Sequence, residues 1–225
     1  MVGKGRRGVR IIANEKADIA DYLARLLLDQ MRSAKCVLDV GCGEGYLISA
    51  FKNLGLQVKG VDISLEMLRV AEKKVGYGNV SVCDIAKDKL PFRNKTFDIV
   101  TATEVVEHLT GDAIFFKEVF RVLKPEGLFF MTTPNHGSIF SYFFRNFVKD
   151  DPTHINLQKE KYWIQKIKKA GFSVKMVRGI TLFGFPPLEP LRQIFRTFKL
   201  PARITPVFSP IRQFCGTILI FAMRN

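Results

Sequence analysis

Two carboxylates and an imidazole crowd the stretch Thr103-Glu104-Val105-Val106-Glu107-His108. Their spacing of i, i+3 and i+4 puts Glu104, Glu107 and His108 on one face if a helical turn forms there. Such a set could take a proton from a hydroxyl or hold a divalent cation. Nearer the N-terminus, Val37-Leu38-Asp39-Val40-Gly41-Cys42-Gly43-Glu44-Gly45 reads as a buried strand running into a glycine-rich turn that opens a helix at Tyr46. The apolar run suits a strand covered on both faces, and the glycines allow unusual backbone angles and close ligand approach. Amides of the helix's first turn then point at the ligand. A second apolar stretch, Gln57 to Val61, ends in Asp62, whose carboxylate can accept from both hydroxyls of a ribose. Loop and acid together predict a nucleoside ligand.

The glycine spacing narrows the choice. A dinucleotide fingerprint needs a glycine where this chain has Tyr46, and the pattern is instead Gly41-x-Gly43-x-Gly45. With Asp39 two residues before the first glycine and Asp62 within Val-Asp-Ile-Ser, the chain resembles the class I S-adenosylmethionine-dependent methyltransferases. The resemblance runs from about Lys35 to Phe172. It includes Val82-Cys83-Asp84-Ile85 as an adenine-contacting segment, Phe97 to Leu109 as the fourth strand and catalytic edge, and Leu123-Lys124-Pro125-Glu126-Gly127 as the turn before the fifth strand.

From that likeness, the expected cofactor is S-adenosylmethionine, held by Asp39, Gly41, Gly43, Gly45, Tyr46, Asp62, Ile63, Met67, Asp84, Ile85 and Glu104. Asp84 would accept from the adenine's exocyclic amine and Ile85 would offer a backbone amide. Met67 either packs near the adenine or, at helical spacing, belongs to the core. Methyl transfer is an in-line displacement at a sulfonium carbon, so nucleophile, methyl and sulfur must be aligned and any proton on the nucleophile removed. His108 and Glu107 are the catalytic candidates. The Glu-x-x-Glu-His arrangement is similar to that in two methyltransferase groups associated with a divalent cation, the ubiquinone-biosynthesis O-methyltransferases and the enzymes that methylate the terminal 2′-hydroxyl of small RNAs. In the former a Thr-His pair follows the lid, as Thr153-His154 does here. The resemblance therefore implies a magnesium or zinc site of Glu104, Glu107, His108 and His154, able to bind a vicinal hydroxyl pair and lower the pKa of the reacting oxygen. Simpler roles stay open: Glu104 at the cofactor's methionine end, His108 as an unassisted base, and His154 capping a helix that begins near Gln158. His136, after Thr132-Thr133-Pro134-Asn135, is either at the pocket's edge or a turn residue without a role.

These residues need a scaffold, and strand and helix patterns alternate along the chain. Strands are expected at Cys36 to Val40, Gln57 to Val61, Val80 to Cys83, Phe97 to Ala102, Leu128 to Thr132, Ser173 to Thr181 and Gly216 to Ala222. Helices are expected at Asn14 to Met31, Tyr46 to Leu54, Leu65 to Val75, Gly111 to Leu123 and Lys159 to Ala170. The first of these should cover the cofactor side of the sheet. The alternation predicts an α/β, Rossmann-like, doubly wound, mostly parallel seven-stranded sheet with helices on both faces. That the last strand runs antiparallel beside the fifth is implied by the resemblance alone.

At 225 residues and 47% hydrophobic content, the chain suits a single domain over residues 1–225. Within it we distinguish an N-terminal arm and helix (1–34), a cofactor-binding core (35–181), an aromatic lid (136–157), a basic-aromatic insertion (182–213) and the last strand (214–225). The lid holds Ile139, Phe140, Tyr142, Phe143, Phe144 and Phe147; the insertion mixes Phe195 and Phe198 with Arg192, Arg196, Lys199, Arg203 and Arg212. The four cysteines lack Cys-x-x-Cys spacing, so reduced core thiols in a cytoplasmic protein are expected. No export signal or membrane-length apolar run is evident.

A net charge of +14 favours anionic partners or simply reflects solvated lysine-bearing helix faces. Three functions follow for testing. The first is methylation of an oxygen on a small aromatic or apolar acceptor; the second is RNA methylation, with the basic residues on phosphates; the third is peripheral membrane contact through residues 182–213 by a protein that binds cofactor without turnover. Oligomeric state is not fixed by the sequence.

Overall fold

The computed structural model describes residues 5–136, 152–181, 207–209 and 217–225. Helix α1 spans Gly5–Gln30, starting earlier than the apolar periodicity alone indicates. Strand β1 (Cys36–Val40) leads to α2 (Tyr46–Asn53), β2 (Gln57–Asp62) to α3 (Leu65–Val75), then β3 (Val80–Val82) and β4 (Phe97–Thr103). After a short 3-10 turn at Val106–His108 come α4 (Asp112–Val122), β5 (Leu123–Pro134), α5 (Glu160–Lys169), β6 (Phe172–Thr181), β7 (Val207–Ser209) and β8 (Thr217–Arg224).

The sheet order is β3-β2-β1-β4-β5-β8-β6-β7. Strands β1 to β5 pair in parallel, and β8 runs antiparallel between β5 and β6, as the resemblance implied. The seven expected strands all form. The short edge strand β7 adds an eighth, inside the segment that the sequence left without regular structure.

Side chains alternate across the sheet with period two, as pleating requires. Ile99, Phe130 and Leu219 face a core closed by Ala24 and Leu27 of α1, Phe51 of α2 and Ala71 of α3. Val100, Phe129 and Ile220 face the other core, closed by Phe115 and Phe116 of α4 and Trp163 of α5. Burial of both faces explains the near-continuous apolar strands. The Lys124–Gly127 stretch is a correction: it is drawn into β5, where the register jumps from Phe97↔Leu123 to Ile99↔Leu128 and Glu126 takes a left-handed φ of 60°. Lys124 anchors it by a 2.7 Å bond to Asp98.

The chain order reverses between β1 and β4, the switch point at which open α/β sheets bind ligands in a crevice beyond the strands' C-terminal ends. The 136–157 lid is described only at its ends, and of the 182–213 insertion only Val207–Ser209 is described. Cys215 also lies outside the described residues, whereas Cys36, Cys42 and Cys83 are free thiols.

Candidate active site

The glycine loop sits at the crevice with backbone angles that favour glycine. Gly41, Gly43 and Gly45 have φ of 74°, 50° and 76°. A Cβ on Gly41 would lie 2.4 Å from Val105 Cγ2 and one on Gly45 2.8 Å from Ala71 Cβ, while one on Gly43 meets nothing within 4 Å. The outer glycines thus serve packing, and the middle one lines open space. Helix α2 starts at Tyr46 without a side-chain cap, leaving its first amides free for a ligand.

Asp62, at the end of β2, accepts from Gly43 N and Ser64 N, each at 2.8 Å, so the acid is fixed against the loop. Asp39 is buried, and its Oδ1 accepts from Thr101 Oγ1 at 2.7 Å across the β1–β4 pair. Burial pushes its carboxyl up to about 7, against the Thr101 bond and with some help from the Asp62 charge. Ile63 and Met67 are exposed at this rim, so Met67 is not core. Asp84 is committed to its own turn: it accepts from Ala86 N and Lys87 Nζ, and the lysine bond holds its carboxyl below the usual range. Its neighbour Ile85 packs partly against the core.

The acid–imidazole cluster forms, though not as a helical face. Glu104 precedes the turn with a left-handed φ of 52°, and only Val106–His108 is helical. Glu104 borders the cleft and accepts from Thr132 Oγ1 at 2.8 Å; Glu107 is fully buried and accepts from Thr133 Oγ1 at 3.2 Å. The two carboxyls face each other, and both titrate above the ordinary range. For each the surrounding protein is the first cause, and for Glu104 the Glu107 charge is the second. Together they act as one titrating pair.

His154 reaches the cluster because the returning chain is stitched to the turn. Asn156 N donates to Glu107 O at 2.8 Å, and His108 Nδ1 lies 3.0 Å from Thr153 O. A carbonyl only accepts, so Nδ1 carries the proton and Nε2 presents its lone pair. The rings of His108 and His154 are 4.9 Å apart. His154 does not cap α5, whose N-cap is Lys159. Ligand atoms of Glu107, His108 and His154 all lie within 4.8 Å of one another. Glu107 Oε1 is buried with no hydrogen-bond partner, so the set fits a divalent cation. Glu104 lies outside this group of three. His136 is exposed in the turn after β5.

Sequence reasoning missed the hydroxyls of Thr101, Thr132 and Thr133, which hold the acids, and the carbonyl of Thr153. A usable signal existed for Thr132-Thr133, two hydroxyls at the end of the strand beside the site. Thr101 becomes visible only once β1 and β4 are in register.

Comparison with known proteins bears on the fold. Residues 38–131 match the model of a methyltransferase domain family. A solved S-adenosylmethionine-dependent methyltransferase from Archaeoglobus fulgidus superposes with a TM-score of 0.67 at 22% identity, covering 92% of this chain and 94% of that one, a likeness of fold. The matched segment is therefore similar to a methyltransferase domain, and the fold is the Rossmann-like one of that solved methyltransferase. Among curated relatives, the ubiquinone biosynthesis O-methyltransferase of Bradyrhizobium sp. (strain ORS 278) is 37% identical over 127 residues, 53% of this chain and 49% of the relative. The mitochondrial protein of that name from Bos taurus is 38% identical over 109 residues, 44% and 28% respectively. The matches therefore span about half, or less, of the relatives' lengths.

Proposed function

We propose that the chain transfers a methyl group from S-adenosylmethionine to an oxygen of a small acceptor of aromatic or otherwise apolar character. The observation that carries this reading is the Glu107–His108–His154 cluster beyond β4, beside the glycine loop. His108 Nε2 takes the acceptor's hydroxyl proton while the Thr153 carbonyl fixes the ring's tautomer. The negative charge of the ionised Glu104–Glu107 pair beside it favours the imidazolium that forms. With a magnesium or zinc ion bound instead, Glu107, His108 and His154 would hold it, the His108 Nε2 lone pair would go to the ion rather than to the proton, and the ion would supply the Lewis acidity that lowers the acceptor's pKa. Asp62 and the free amides of α2 hold the nucleoside, with Ile63 and Met67 flanking the base.

The names of the curated relatives support oxygen as the target. The RNA reading rests on the +14 charge and on a Glu-x-x-Glu-His cluster that serves the small-acceptor reading equally, and we do not adopt it. Among the described residues no helix is long and apolar enough to cross a membrane; the peripheral-contact reading rests on a segment that is almost wholly outside them.

Incubation with S-adenosylmethionine and a panel of catechols and phenols, read by mass spectrometry, tests the proposal. A methylated product with the unmodified chain, lost by about a hundredfold or more in Glu107→Ala while cofactor binding persists, is the expected result. Unchanged turnover in that variant removes the cluster from the chemistry.

A further inference from the structure

The glycine loop is gripped from outside the motif. Glu44 lies before the helix, so its carbonyl is not drawn into the α2 hydrogen-bond ladder, which begins with Ser49 N on Gly45 O. Lys74, in the last turn of α3, fills that role: its Nζ donates to Glu44 O at 2.6 Å. The same ammonium sits 3.6 Å from the centre of the Tyr46 ring and 3.9 Å from Glu44 Oε2. One turn earlier on α3, Ala71 leaves no room for a Cβ on Gly45. Lys16 of α1 also reaches Glu44, at 3.2 Å, yet its side chain is 51% exposed against 25% for Lys74. An exposed ion pair contributes little, whereas a charge-assisted bond to a loop carbonyl, with a ring beneath it, fixes geometry.

We propose that Lys74 is a positioning residue for the cofactor: by binding the Glu44 carbonyl and the Tyr46 ring it holds the loop so that the uncapped amides of α2 face the nucleoside. This rests on the cofactor reading above. Lys74 touches the ligand-bearing backbone and not the reacting atoms, so its loss weakens cofactor binding without removing any group from the acid–imidazole cluster. Lys52 provides a matched control. Its Nζ donates to Val75 O at 2.8 Å, one residue from Lys74, and not to a loop carbonyl.

Calorimetric titration of the full chain with S-adenosylhomocysteine separates the roles. Lys74→Met is expected to raise Kd about tenfold or more, Lys74→Arg to stay within about threefold because a guanidinium can make both contacts, and Lys52→Met to stay within about twofold even where its melting temperature falls as far. An unchanged Kd in Lys74→Met, or an equal loss in Lys52→Met, overturns the proposal and leaves the cofactor reading intact. No binding by the unmodified chain overturns both.

Discussion

Asp39 illustrates a residue whose burial costs the fold stability. Its carboxyl, ordinarily near 3.8, is pushed up to about 7 by burial, so the folded state holds a proton that the unfolded state releases. The stabilising contribution is therefore full below about pH 4 and is lost as pH rises through about 7, a swing of at most about 4 kcal/mol. Asp39→Asn, which keeps an acceptor for Thr101, should flatten that dependence. Denaturant melts at pH 5 and pH 8 are expected to differ by less in the variant, with its advantage largest at pH 8. If the variant is equally destabilised at both, the buried charge is not the cause. Cys42 shows the opposite case. Its thiol packs where a Cβ on Gly60 would stand and burial pushes its pKa upward, so a cysteine within the ligand motif acts as a core side chain.

At the scale of elements, the three loop glycines carry separable duties. Gly41→Ala drives a methyl into Val105 on top of the left-handed strain of about 1–2 kcal/mol, and should lower both melting temperature and cofactor affinity. Gly43→Ala meets only the strain, so it should fold with a smaller loss of stability yet bind cofactor poorly, because its methyl enters the open space before α2. Melting curves paired with cofactor titration distinguish them; Gly43→Ala binding like the unmodified chain would mean that the ligand lies elsewhere. The strands and the loop were legible in the sequence because apolar runs and glycine spacing are local. The acid–imidazole turn was legible only in part. Spacing predicted that Glu104, Glu107 and His108 share a helical face, but Glu104 takes a left-handed φ so that its carboxylate meets Thr132, a contact set by β4–β5 pairing. Likewise, Asp84 answers to Lys87 within its own turn, which no motif position reveals. The approach of His154 to His108 depends on backbone bonds from Thr153 and Asn156, and these exist only after the chain has returned.

Taken as a molecule, the fold stacks two helical layers on a sheet whose order reverses at β1 and β4, and everything assigned to chemistry sits beyond that reversal. Ligand binding there should couple to global stability. S-adenosylhomocysteine at about 100 times its Kd adds about 2.7 kcal/mol, or roughly 5–10 °C in melting temperature for a chain of this size. Thermal melts with and without the compound check this, and a shift within error at saturation would mean no preferential binding to the folded state. The most direct measurement of the central claim is calorimetric titration of the purified chain and of Asp62→Ala with S-adenosylmethionine. One site per chain, with Kd raised about tenfold or more in the variant, is predicted from the loss of charge-assisted bonds to the ribose. Heats indistinguishable from dilution in the unmodified chain, or equal affinity in both proteins, would contradict the assignment of the crevice to this cofactor.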